Sequence, residues 1–180
     1  MRYLRIPKER VGVLIGKNGE TKQMIEQMAS VKLEIDSEEG EISLDDSQAT
    51  DPVLGLKAED VIRAIGRGFS PEHALKIFEE EVEFFLFDIY EYVGKKENHV
   101  SRLKSRIIGR DGKTKRVMER LTGAHISIYG HTVGIISDLE FMDVTKKAID
   151  MMLSGSKHFK VYRYIEREIK KIKTSGSMGF

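Results

Sequence analysis

Along this chain apolar residues alternate with polar ones, then recur every three or four positions, then alternate again, and the whole order occurs twice. Residues 3–6 alternate and predict a short strand, and Pro7 opens a helical stretch that runs to Gly16-Lys17-Asn18-Gly19. Beyond those glycines Met24, Ile25 and Met28 recur at helical spacing and predict a buried stripe. Val31, Leu33 and Ile35 then alternate with Lys32 and Glu34, which predicts a half-buried strand. Glu39-Gly40 is a turn signal ahead of Ile42 and Leu44. Asp51-Pro52 starts a helix with Leu56, Val61, Ile62 and Ile65 on its apolar side. The unit reads β-α-loop-α-β-β-α.

Gly66-Arg67-Gly68-Phe69-Ser70-Pro71 joins a glycine stop to a Ser cap and a first-turn proline, and so predicts a short connector helix. The aromatic-rich residues 83–93 predict the first strand of a second unit. The pattern then restarts: a helix over 100–108, the loop Gly109-Arg110-Asp111-Gly112, and a buried stripe of Val117, Met118 and Leu121. Ala124, Ile126 and Ile128 alternate as a strand, residues 133–136 predict a third strand, and 141–153 a closing helix. One helix is extra. Over 157–173, Val161, Ile165, Ile169 and Ile172 form an apolar stripe expected to dock on the second unit, with Lys160, Arg163, Arg167, Lys170 and Lys171 largely off it. The expected organisation is a first domain over 1–70, a connector over 71–82, a second domain over 83–155, the docking helix over 156–173 and a fraying tail over 174–180.

Composition narrows the classes. With 180 residues and 40% hydrophobic content, the chain can bury real cores. It has no Cys, which removes disulfides, thiolate catalysis and Cys-based zinc sites and fits a reducing, cytoplasmic setting. No apolar run approaches the roughly 20 residues of a membrane span, and no secretory leader is expected. The formal net charge of +1 conceals an asymmetry: residues 1–90 hold 11 Lys and Arg against 19 Asp and Glu, and residues 91–180 hold 19 against 10. The halves therefore carry −8 and +9. The basic half is expected to face RNA, whereas the acidic half is a solvated surface or a place for a basic partner.

The chemistry gathers at the repeated glycines. Leu14-Ile15-Gly16-Lys17-Asn18-Gly19-Glu20-Thr21-Lys22 returns as Ile107-Ile108-Gly109-Arg110-Asp111-Gly112-Lys113-Thr114-Lys115 about 93 positions later. Paired glycines between two helices let a phosphate backbone approach main-chain N–H groups at the second helix's N-terminus. Single-stranded RNA is the expected ligand, with bases lying in a groove walled by the preceding Ile and the following strand. The candidate RNA-binding residues are Gly16, Lys17, Asn18, Gly19 and Lys22, then Arg102, Arg106, Gly109, Arg110, Asp111, Gly112, Lys113, Lys115 and Arg116. Lys104 and Arg120 add to the positive charge of the second copy, which is expected to be the main grip. Asp111 opposes a phosphate, and its expected role is to cap the next helix.

Other chemistries fail on spacing. Gly112-Lys113-Thr114 imitates the end of a P-loop, but the earlier glycine that loop needs falls on Ile107; Gly12 to Lys17 fails likewise, with Asn18 where Ser or Thr is required. His73, His99, His125, His131 and His158 show no helical i,i+4 pairing, so no metal site or cofactor is expected. His125 stands beside the proposed groove and His131 belongs to the following turn. Phe84, Phe85, Phe87, Tyr90 and Tyr92 are expected to pack a core rather than stack bases, and no Ser, His and acid constellation stands out.

The repeated pattern resembles the K-homology (KH) domain of type I, which implies an α+β fold of two tandem type I KH modules, each β-α-α-β-β-α, with a connector helix and an extra C-terminal helix. The tandem arrangement, the connector Ile62-Arg63-Ala64-Ile65-Gly66-Arg67-Gly68-Phe69-Ser70 and the segment from Arg102 to Lys115 resemble the ribosome-assembly family called partner of Nob one, or Dim-two, in its compact archaeal form. That resemblance implies a non-enzymatic factor that binds near the 3′ end of small-subunit rRNA and helps the Nob endonuclease cut there. It also implies contact with the α subunit of translation initiation factor two. Eukaryotic relatives generally have a degenerate first loop, whereas Gly16 and Gly19 are intact here. Ser105 replaces the glycine of the equivalent Gly12 and is expected to narrow the second groove. The competing readings are a general RNA chaperone or mRNA regulator, a first module used chiefly for protein docking, and an RNA-modifying enzyme or nuclease, which would need a metal-ligand cluster.

Overall fold

Each unit is built by laying helices over one face of a three-stranded antiparallel sheet. The structure is a computed structural model that describes residues 1–177. It divides into Met1–Phe84 and Phe85–Phe180. In the first unit, β1 (Arg2–Arg5) leads into α1 (Lys8–Ile15), a tight turn over Lys17–Gly19, and α2 (Glu20–Ala29). Then come β2 (Lys32–Asp36), β3 (Glu41–Asp45), α3 (Pro52–Gly66), α4 (Pro71–Leu75) and a 3-10 turn over Lys76–Phe78. The strand order is β1-β3-β2, with Leu33 opposite Leu44 and Ile35 opposite Ile42. Alternation sends Leu33, Ile42 and Leu44 to the helix-covered face, where each is at most 1% exposed.

The local signals act where the sequence puts them. Asp51 caps α3 by accepting from Val53 N at 2.8 Å, with Pro52 at the first helical position. Ser70 caps α4 in the same way, accepting from His73 N at 3.3 Å. Gly40 has φ 73°, and a side chain there would strike the Ile6 carbonyl. Arg10 of α1 donates to the carbonyls of Ile65 at 2.8 Å and Phe69 at 2.7 Å, which pins the segment after α3.

The second unit repeats the plan. Strand β4 (Val82–Asp88) is followed by α5 (Tyr90–Val93), α6 (Glu97–Ile108), a turn over Arg110–Gly112 and α7 (Lys113–Thr122). Next are β5 (His125–Tyr129), β6 (Thr132–Asp138), α8 (Leu139–Leu153) and α9 (His158–Ser177). The sheet order is β4-β6-β5, with Ile126 opposite Ile135. Val161, Ile165 and Ile169 of α9 are buried in one core with Ile107, Met118, Ile135 and Ile149.

Several expectations need correction. The buried stripe of α2 is Thr21, Ile25 and Ala29; Met24 and Met28 are 41% and 45% exposed, because Thr21 turns inward beneath the glycine loop. Leu56 is also exposed, at 52%. Residues 83–93 are not one strand: Asp88 accepts the Tyr90 N–H at 2.9 Å and ends β4, and a short helix follows. Helix α6 starts three residues before the expected position 100. Residues 174–177, expected to fray, continue α9, and residues 178–180 lie outside the described residues.

Candidate nucleic-acid interface

The two glycine loops have the same backbone geometry. Gly16 and Gly109 both have φ 75°, with ψ 175° and 176°. Asn18 and Asp111 take the left-handed conformation at φ 53° and 54°, which Asn and Asp tolerate best among residues with a side chain. Gly19 and Gly112 follow at φ 78° and 74° and stand as the N-caps of α2 and α7. In each turn the second glycine's N–H donates to the first glycine's carbonyl at 3.2 Å.

The two glycines of each pair do different work. A Cβ at Gly16 or Gly109 would collide with the hydroxyl of Thr21 or Thr114, which are only 7% and 6% exposed. The first glycine is therefore demanded by internal packing. Around Gly19 the nearest atom to a Cβ is Gln23 Nε2 at 3.8 Å, and around Gly112 it is Arg116 Nη1 at 3.0 Å. The second glycine puts no side chain over the helix N-terminus and no side chain caps it; the first helical N–H, of Glu20 or Lys113, donates back to the carbonyl of Lys17 or Arg110, and the positive end of the dipole stands at the loop. Asp111 is thus not the cap expected of it, since Gly112 occupies that position and Asp111 points into solvent.

The cations divide into free and engaged. Lys17, Arg110, Lys113 and Arg116 are exposed, and their side chains make no ion pair or hydrogen bond within the described residues. Lys22 and Lys115 are engaged. Lys22 pairs with Glu26 at 3.9 Å, and the same Glu26 oxygen accepts from Leu33 N at 2.8 Å. Lys115 pairs with Glu119 at 3.6 Å, and Glu119 accepts from Ile126 N at 2.9 Å. Each glutamate ties its helix to the strand that follows it and pairs with a lysine one turn earlier. The sequence reading missed Thr21, Thr114, Glu26 and Glu119. Their signal was the same repeat offset that relates the glycines.

Arg102 and Arg106 are not brought to the loop. Arg106 donates to the Ser156 carbonyl at 2.5 Å, and its own carbonyl accepts from His158 Nε2 at 3.0 Å. Arg102 lines a cleft of about 510 Å³ with Tyr92, Leu153 and Gly155 on that same flank of α6. His131 sits in the β5–β6 turn, bonded to Asp88 at 2.9 Å and stacked on Tyr90 with centroids 4.1 Å apart. Phe85, Phe87, Tyr90 and Tyr92 pack against the second core, and Tyr92 donates to Asp150 at 2.8 Å. Burial, and then that hydrogen bond, push the Tyr92 hydroxyl from 10.0 up to about 12. Among the described residues no group of three His, Asp or Glu converges as metal ligands.

A β-α-α-β-β-α order, a β1-β3-β2 sheet and a Gly-x-x-Gly turn between the first two helices define a K-homology module of type I, and this chain carries two. Residues 83–170 match the family profile of the second PNO1 module, described as a eukaryotic-type KH domain (KH-domain type I), and residues 6–80 match the Krr1 KH1 domain. A KH domain-containing protein of Methanocaldococcus jannaschii is 46% identical over 170 residues, which cover 94% of this chain and 74% of that one. The crystal structure of Dim2p from Pyrococcus horikoshii superposes with a TM-score of 0.84 at 41% identity, covering 92% of this chain and 98% of the other. A chain of the a/eIF2alpha-aDim2p-rRNA complex from the same organism superposes at 0.86 with 40% identity, covering 94% of each chain. The chain belongs to the archaeal Dim2/PNO1-type family of tandem KH proteins, which are not enzymes.

Proposed function

We propose that this protein is an RNA-binding assembly factor of the small ribosomal subunit that binds near the 3′ end of small-subunit rRNA and assists its endonucleolytic maturation. One observation carries the RNA reading: the two loops share one geometry, leave an uncapped helix N-terminus, and flank it with cations that have no protein partner among the described residues. The rRNA assignment is supported by the Pyrococcus horikoshii relative, whose structure was solved with a/eIF2alpha and rRNA. On the same support the partners are single-stranded rRNA and the α subunit of translation initiation factor two. The Nob endonuclease is the nuclease it would assist. No helix among the described residues is long and apolar enough to cross a membrane, and the cytoplasm is the proposed location.

Gly16, Lys17, Asn18, Gly19 and Lys22 form the proposed first grip, and Gly109, Arg110, Asp111, Gly112, Lys113, Lys115 and Arg116 the second. The second dominates. It has three unpaired cations at its loop, Arg110, Lys113 and Arg116, where the first has Lys17, Glu20 and Gln23. The test is fluorescence anisotropy with the 3′ end of small-subunit rRNA and a scrambled control at matched salt. Specific binding lost mainly in Arg110→Asp, and less in the Lys17→Asp, Asn18→Asp double variant, is the expected result. Equal affinity for both RNAs would instead make the protein a general RNA chaperone, and indifference to both loops would overturn the KH mechanism.

A further inference from the structure

The unpaired positive charge of the second unit does not stop at the loop. Lys113, Arg116 and Arg120 stand at i, i+3 and i+7 on α7, which places them on one exposed crest roughly 10 Å long. The crest begins at the loop, since Arg116 Nη1 lies 3.0 Å from where a Gly112 Cβ would sit. It ends at a cleft of about 610 Å³ between α7 and α9, lined by Arg120, Leu121, Ile169, Lys170 and Lys173, with Glu166 as its acid. The side chains of Arg120, Lys170 and Lys173 make no ion pair or hydrogen bond among the described residues, whereas Arg167 and Lys171 on the same helix are both neutralised by Glu168, at 3.0 and 3.3 Å.

The first unit supplies an internal comparison. Glu20, Gln23 and Gln27 occupy the positions of Lys113, Arg116 and Arg120, and no second long helix follows α3. The fold and the loop therefore do not require this crest, which accompanies the extra helix. We propose that α7 and α9 form an additional phosphate-binding subsite that holds the continuation of the RNA strand after it leaves the second groove. This rests on the RNA-binding reading above. The apolar floor of Leu121 and Ile169 suits a base or ribose edge, while Arg120, Lys170 and Lys173 face the phosphates on either side. Helix α9 then has two faces with two tasks: Val161, Ile165 and Ile169 complete the core, and the adjoining row extends the binding track.

Lys170 and Lys171 allow a direct test, because they are neighbours with the same charge on different faces. Affinity of the full chain would be measured for an oligonucleotide of about four nucleotides, the length one KH groove clamps. The measurement would be repeated with the same sequence lengthened by uridines on its 5′ or its 3′ side. The wild type should gain affinity on lengthening at one end. Lys170→Glu should erase most of that gain, lower the log–log salt slope on the longer RNA by about 0.7, and leave the short RNA unaffected. Lys171→Glu should preserve the gain. Equal losses in the two variants, or no gain from length in the wild type, would overturn the subsite while leaving the groove intact. Failure of the wild type to bind either RNA would instead remove the RNA-binding reading beneath it.

Discussion

The glycines of each loop are set by different constraints, and substitution should separate them. Gly109→Ala adds a methyl group at φ 75° against the Thr114 hydroxyl and backbone, so the turn must shift. Its cost should be about 1–3 kcal/mol of stability, read as a lower urea midpoint, and RNA binding should fall with it. Gly112→Ala meets only the far end of the Arg116 side chain. It should cost about 1 kcal/mol for the left-handed conformation and act mainly by holding phosphate off the helix N-terminus. A Gly112→Ala variant that binds RNA like the wild type would show that the ligand does not approach there. The glycines were legible from sequence because the motif is local and repeated. Thr21 and Thr114 were not, because their burial arises from a contact with a glycine five residues away that only the turn creates.

At the scale of elements, hydrophobic periodicity located nearly every strand and helix but misjudged the rotation of α2 and of α7, which buries Thr114, Met118 and Thr122 and leaves Val117 and Leu121 half-buried. Met24 and Met28 look like a core stripe, yet α2 is turned so that Thr21, Ile25 and Ala29 face inward. Side-chain accounting has the same limit at β4, where the Asp88 carboxylate takes the Tyr90 N–H and converts an aromatic strand signal into a helix start. The extra helix was plain from its stripe, and its weight can be tested. Ile165 is fully buried, so Ile165→Ala should destabilise the second unit by about 2–5 kcal/mol. Exposed Lys170→Glu should leave stability within about 0.5 kcal/mol of the wild type. Tyr92 of α5, bonded to Asp150 of α8, makes a pH prediction. Its folded pKa of about 12 lies above the ordinary 10.0, so its contribution is complete below pH 10.0 and is lost as pH rises through about 12. Tyr92→Phe should remove that component from the alkaline unfolding profile, and an unchanged profile would place the alkaline sensitivity elsewhere.

For the whole molecule, the decisive property is that one duplicated design carries opposite charge in its two halves, −8 and +9. Shared loop geometry means the two loops differ electrostatically rather than in backbone shape, and electrostatic grip on a single strand is read directly by salt. Each phosphate neutralised contributes about 0.7 to the log–log slope. Removing Arg110, Lys113, Arg116 and Arg120 together should therefore flatten it by up to about 3, whereas Lys17→Ala in the first unit should remove no more than about 0.7. Linkage matters as well. Two modules on one chain present the second site at an effective concentration that reaches about mM, so even a weak first grip should raise affinity for an RNA long enough to reach both loops. The Lys17→Asp, Asn18→Asp variant should lower affinity for such an RNA and leave a short oligonucleotide held by the second unit unaffected. If both RNAs bind that variant as they bind the wild type, the first unit takes no part in holding RNA, and its acidic surface is free for a protein partner.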